Sequence, residues 1–208
     1  MNDSLKDYYR SLFKENGDSP QATQHTSREG QFKRFEILTN PISKSHSIVD
    51  VGCGLGEMLR FLRKNNYTGQ YLGLDFLPEF IAAANSKFKN DSNAEFIEYD
   101  VCRDELPEKY HYILMSGIFN NKMPKNQSFM FDTITKFYDK CYCGLAFNAL
   151  STHVEYQDDT LYYSNPMLIF DYCKKNLTPF VSLKHDYLTK PDGFPYEYTV
   201  FLSKDATF

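Results

Sequence analysis

Asp50, Gly52, Gly54 and Gly56 occupy alternate positions in the stretch Ile48-Val49-Asp50-Val51-Gly52-Cys53-Gly54-Leu55-Gly56-Glu57. Glycine has no Cβ and reaches backbone conformations closed to other residues, so this turn can bend sharply and admit a ligand against the main chain. The dinucleotide-binding pattern G-x-G-x-x-G is one kind of cofactor turn. Begun at Gly52, it puts Glu57 at the third glycine; begun at Gly54, it puts Leu59 there. Both registers fail, so a different cofactor is implied. Cys53 reads as a small residue tolerated between the glycines.

Further polar residues stand at the ends of the apolar runs that follow. Gln70-Tyr71-Leu72-Gly73-Leu74 ends at Asp75, with Phe76 next. Glu95-Phe96-Ile97-Glu98-Tyr99 leads to Asp100 and Val101, and Tyr110-His111-Tyr112-Ile113-Leu114-Met115 leads to Ser116 and Gly117. The D-x-G-x-G-x-G turn with these strand ends resembles the class I S-adenosylmethionine (SAM)-dependent methyltransferases over residues 32–203. The resemblance implies SAM as cofactor, held by Asp50, Gly52, Cys53, Gly54 and Gly56 at the turn. A carboxylate such as Asp75 can accept hydrogen bonds from both ribose hydroxyls, and the Phe76 ring is suited to lie against adenine. Asp100 with Val101 resembles the adenine edge of such sites, and Ser116 with Gly117 the exit of the fourth strand. Arg34 matches an arginine that holds the SAM carboxylate in related small-molecule enzymes, a task for which a planar fork is suited.

These residues need a scaffold that gathers strand ends. In an open α/β sheet, ligands collect beyond the carboxyl ends of the strands where the strand order reverses. Strands over Ile48–Val51, Gln70–Leu74, Glu95–Val101, Tyr110–Gly117 and Gly144–Leu150 alternate with helices, one of them opened by Pro78. Other helices run from Glu57 to about Asn65, from Gln127 to Lys140, and from Pro166 behind an Asn165 cap. Pro-Asp-Gly at 191–193 makes strands over 179–188 and 196–203 an antiparallel hairpin. The expected fold is therefore α/β, a three-layer doubly wound seven-stranded mixed sheet that ends in that hairpin. A single methyltransferase domain over 31–208 carries an N-terminal extension, 1–30, of the kind that folds over the cofactor as a lid in this family. The pieces 18–22, 116–120 and 146–152 resemble a subgroup of small bacterial methyltransferases.

Composition narrows the acceptor. A net charge of −4 argues against a broad nucleic-acid surface, because such binding relies on Lys and Arg neutralising phosphates. The strand-four exit also lacks the Asn or Asp with Pro-Pro and an aromatic found in amino-methylating DNA and RNA enzymes of this fold. Five cysteines without a C-x-x-C pair suit reduced thiols in the cytoplasm better than a disulfide framework or a zinc site. No apolar run is long enough for a membrane span, no secretion signal is visible, and no metal cluster is expected. A small metabolite, sugar or natural product with a hydroxyl or amine is the expected acceptor. Tyr9 and His25 of the extension, Asn120, Asn148, and Tyr156 with Tyr162 of the long loop 151–163 are the expected substrate contacts. If a base is needed, His153 is the candidate and His25 the alternative; His185 and Asp186 face opposite ways on a strand and should not pair. A protein methyltransferase and a non-catalytic SAM-binding protein stay open as alternatives.

Overall fold

Five apolar runs form parallel strands because helices cover both faces of the sheet they build. The computed structural model describes residues 3–106 and 108–206; Met1, Asn2, Pro107, Thr207 and Phe208, parts of the expected 1–30 and 31–208 segments, lie outside the described residues. Helix α1 (Asp3–Asn16) and a 3-10 turn (Pro20–Thr23) precede α2 (Arg28–Leu38). Then β1 (Ile48–Val51), α3 (Glu57–Lys64), β2 (Tyr71–Asp75), α4 (Pro78–Lys87) and β3 (Ala94–Glu98) alternate. The second half runs β4 (Tyr110–Met115), α5 (Asn126–Tyr138), β5 (Cys141–Leu150), α6 (Pro166–Asn176), β6 (Val181–Lys184) and β7 (Glu197–Ser203).

The seven strands lie in the order β3-β2-β1-β4-β5-β7-β6. Strands β1 to β5 are parallel, and β7 pairs antiparallel with both β5 and β6. This is the doubly wound mixed sheet expected from the sequence. Strand β1 pairs with β2 on one side and β4 on the other, so the winding reverses there and a crevice opens beyond the strand ends. One sheet face buries Phe137, Ile134 and Ile169 of α5 and α6 against Val49, Ile113 and Phe147. The other buries Phe35, Met58, Leu62 and Ile81 of α2, α3 and α4 against Ile48, Tyr71 and Leu114.

Local chemistry sets the helix ends beside the crevice. Ser27 Oγ accepts from Gly30 N at the start of α2, and Asn165 Oδ1 accepts from Met167 N at the start of α6. Such caps contribute about 0.5–2 kcal/mol each. Strand β3 stops at Glu98, short of the expected Val101. The Asp100 side chain accepts from Cys102 N, and this local bond competes with the ladder and turns the chain. Strand β6 stops at Lys184, and the expected turn, closed by Gly193 N to Lys190 O at 3.2 Å, sits inside a longer connection to β7. That connection bends back towards α2, as shown by its Tyr196 hydroxyl accepting from Arg34 at 2.7 Å.

Phe137 is fully buried where α5 meets the sheet. Phe137→Ala is expected to lower the free energy of unfolding by about 3–5 kcal/mol in urea titration, the range for emptying such a site.

Candidate active site

A cavity of about 300 Å³ lies at the carboxyl ends of β1, β2 and β4 and reaches under α1. The glycine turn forms its floor. Gly52 and Gly54 have φ of +76° and +52°. A Cβ on Gly52 would stand 2.3 Å from Ile118 Cγ2, and one on Gly54 would stand 2.9 Å from Thr23 Cγ2. Both conformation and space therefore demand glycine. Gly54 N donates to Asp75 Oδ2 at 2.9 Å and Leu77 N donates to Oδ1 at 3.0 Å, locking the β2 carboxylate to the turn.

Two carboxyl groups are buried side by side here. Burial lifts Asp75 to about 6 despite its backbone donors. Burial also lifts Asp50 to about 7; the Tyr71 hydroxyl, which donates to Oδ2, opposes the rise, and the Asp75 charge adds to it. Asp50 Oδ1 is buried on the cavity wall and has no hydrogen-bond partner. The same holds for Gln31 Oε1, Ser116 Oγ and Asn120 Oδ1, whose residues also line the cavity. Each bare buried oxygen costs about 1–3 kcal/mol, a penalty that ligand donors would remove.

Helix α1 closes one side. Tyr9 accepts from Asn121 Nδ2 at 2.8 Å and donates to Gln24 Oε1 at 2.6 Å, and its ring meets Phe76 and Phe80 edge-on. On the opposite wall Arg34 donates through Nε to Glu197 at 2.7 and 3.0 Å, through one terminal nitrogen to Tyr196, and through the other to His25 Nδ1 at 3.3 Å. Burial, together with the Arg34 charge, holds His25 down at about 3. Its Nδ1 accepts from arginine, so the neutral ring carries its proton on Nε2.

The sequence-expected residues divide cleanly by position. Asp50, Gly52, Cys53, Gly54, Asp75, Phe76, Val101, Ser116 and Gly117 border the cavity, as do Arg34, Tyr9, His25 and Asn120. Others do not reach it. Gly56 caps α3 behind the turn, and Asp100 lies in its own turn beyond β3, with Arg103 at 3.6 Å. Asn148 stands one layer back, where its Oδ1 accepts from Gly117 N at 3.0 Å. Tyr156 is 79% exposed, while half-buried Tyr162 is absent from the wall. His153 is exposed and meets His185 edge-on at 6.0 Å, outside the cavity. The loop 151–163, which carries the expected contacts Tyr156 and Tyr162, reaches the cavity only through Leu161.

Sequence reasoning missed Gln31, Asn121, Tyr196, Lys190 and, behind Arg34, Glu197. Glu197 carried the one legible signal: the single charged residue, at the head, of a strand otherwise made of apolar, aromatic and hydroxyl side chains. Among the described residues, no group of three or more His, Cys, Asp or Glu could hold a metal, and no helix is long and apolar enough to cross a membrane.

The methyltransferase-domain family matches residues 49–141, the span from β1 to the start of β5. Rv1506c of Mycobacterium tuberculosis, which bears the name of a methyltransferase, is 32% identical over 164 residues, covering 76% of this chain and 93% of that protein. The chain belongs to the class I SAM-dependent methyltransferases. A malonyl-[acyl-carrier protein] O-methyltransferase of Acetivibrio thermocellus is 35% identical over 78 residues, 37% of this chain and 27% of that protein. The fold of this methyltransferase also matches magnesium protoporphyrin IX methyltransferase of Synechocystis with a TM-score of 0.67 at 14% identity, covering 98% of this chain and 96% of that one.

A carboxyl group whose pKa is raised by folding favours the folded state in its protonated form. Its contribution is fully present below the unfolded value of 3.8 and is lost as pH rises through about 7 for Asp50. In the ligand-free protein, Asp50→Asn is therefore expected to gain stability relative to the parent between pH 5 and pH 7 and to keep that gain at pH 8. Urea unfolding at pH 5 and pH 8 checks this; an equal loss at both would contradict it.

Proposed function

We propose that this methyltransferase moves a methyl group from SAM to a hydroxyl or amine of a small molecule held in the cavity beneath α1. The observation that carries this reading is the set of bare buried oxygens on Gln31, Asp50, Ser116 and Asn120 around one cavity. SAM offers hydroxyl, amino and ammonium donors, so this wall fits it. Asp75 and Phe76 would hold its nucleoside, the Gly52–Gly54 turn its backbone-facing side, and Asp50 its ammonium. Arg34 has five N–H donors; Nε and one on each terminal nitrogen are engaged, which leaves two for its carboxylate.

The bound cofactor supplies an electrophilic methyl on a sulfonium whose leaving group is neutral. The protein's part is alignment and exclusion of water, worth on the order of 7–11 kcal/mol of barrier at best. Helix α1 and the 3-10 turn act as the lid over the cavity, with Tyr9 bonded to Asn121. Asn120 Oδ1 and Ser116 Oγ, at the β4 exit, accept the O–H or N–H of the acceptor and turn its lone pair inwards. His153 is too far out to take a proton there. His25 is a donor through Nε2 and not a base, since Arg34 occupies Nδ1. The net charge of −4 and the position of the cavity beneath α1 support a small acceptor over a nucleic acid, and five free cysteines support a reducing, cytoplasmic setting.

Calorimetric titration is expected to give micromolar binding of SAM, weakened about 10- to 100-fold by Asp75→Ala and unchanged by His153→Ala. With labelled SAM and a cell extract, label should enter the low-mass, acid-soluble fraction. Label confined to protein or nucleic acid, or no SAM binding by the intact protein, would overturn the reading.

A further inference from the structure

Glu197 opens β7, and its side chain is 1% exposed. A carboxylate that deep requires partners, and it has three kinds. Both its oxygens accept from Arg34 Nε; Oε1 also accepts from Tyr187 at 3.1 Å and from Asn148 Nδ2 at 3.4 Å. Tyr187 in turn bonds Thr199 at 2.9 Å, so the carboxylate is anchored on two residues of its own hairpin. The arginine it grips comes from α2, lines the cavity, and is only 12% exposed. An arginine fork gains its selectivity from a fixed plane, and a side chain this long loses that plane when nothing holds it.

We propose that Glu197 is a positioning residue that fixes the Arg34 guanidinium so that its two unengaged N–H groups meet the carboxylate of the cofactor. Glu197 does not touch the ligand itself and is absent from the cavity wall. The grip on Nε leaves the two terminal nitrogens at the cavity, and Tyr196 and His25 each take one donor so that the fork cannot rotate. The proposal rests on the reading that Arg34 binds the SAM carboxylate, and the two are separable by experiment.

The probes are S-adenosylhomocysteine and 5′-methylthioadenosine, which share the nucleoside and thioether but differ in the amino-acid group. Their ratio of dissociation constants, measured calorimetrically, reads the amino-acid contacts and is blind to general loosening of the fold. Arg34→Ala is expected to cut the preference for S-adenosylhomocysteine about tenfold or more. Glu197→Gln, which keeps the shape of the side chain, is expected to cut it about tenfold while leaving 5′-methylthioadenosine affinity within about twofold. In the Arg34→Ala background, Glu197→Gln should change the ratio no further. An unchanged ratio in Glu197→Gln beside a lowered ratio in Arg34→Ala overturns the positioning role alone. Equal loss of both ligands in Glu197→Gln, including complete loss, also overturns it in favour of a structural role. An unchanged ratio in Arg34→Ala overturns the carboxylate reading beneath it.

Discussion

Two carboxyl groups are buried near the carboxyl ends of adjacent parallel strands, and the surroundings are arranged to accommodate them. A buried carboxylate in an apolar medium is costly unless donors meet it. Asp75 is met by the amides of Gly54 and Leu77, which is why the glycine turn must come down onto β2 and why the chain leaves β2 where it does. Asp50 is met on one oxygen only, by Tyr71, and its other oxygen faces the cavity. The fold thus satisfies one acid from within and leaves the other half-satisfied. On the proposed reading, that half is where a donor group of the ligand belongs.

The same division recurs on the opposite wall. Arg34 and Glu197 neutralise one another across elements distant in the chain, and the pair uses up only part of the arginine's hydrogen-bonding capacity. Asn148 ties this pair to the β4 exit by donating to Glu197 and accepting from Gly117. The two ends of the cavity are therefore held by one set of hydrogen bonds that runs through β5 and β7. Helix α1 adds the third side through Tyr9, whose ring covers Phe76 and whose hydroxyl reaches Asn121. Water exclusion strengthens every one of these interactions, since the effective dielectric falls as the cavity closes.

Much of this was legible because strand ends are written locally. An apolar run followed by Asp50, Asp75 or Ser116 declares both the strand and the edge where its last side chain emerges, and parallel topology brings those edges together. The Arg34 position was legible through resemblance, but its partner Glu197 was not. Their contact spans 163 residues and depends on β7 entering between β5 and β6. Asp100 is outside the cavity lining, in a turn held by its own bond to Cys102 N, which no periodicity reveals. The loop 151–163 offered Tyr156 and Tyr162 as substrate contacts by its length and aromatic content. Only Leu161 arrives there, because backbone bonds such as Tyr162 N to Asn120 O fix the loop along the rim. Composition can indicate that a loop is long enough to cover a site, but not which way it folds.

The central claim is that the bare oxygens of Asp50, Ser116 and Asn120 exist to receive the donors of the cofactor and acceptor. The most direct measurement is a crystal structure of this chain with S-adenosylhomocysteine bound. The account predicts ligand in the cavity under α1, with Asp50 Oδ1 accepting from its ammonium group and Asp75 meeting its ribose. Ligand bound elsewhere, or bound there with Asp50 Oδ1 still without a partner, would contradict it.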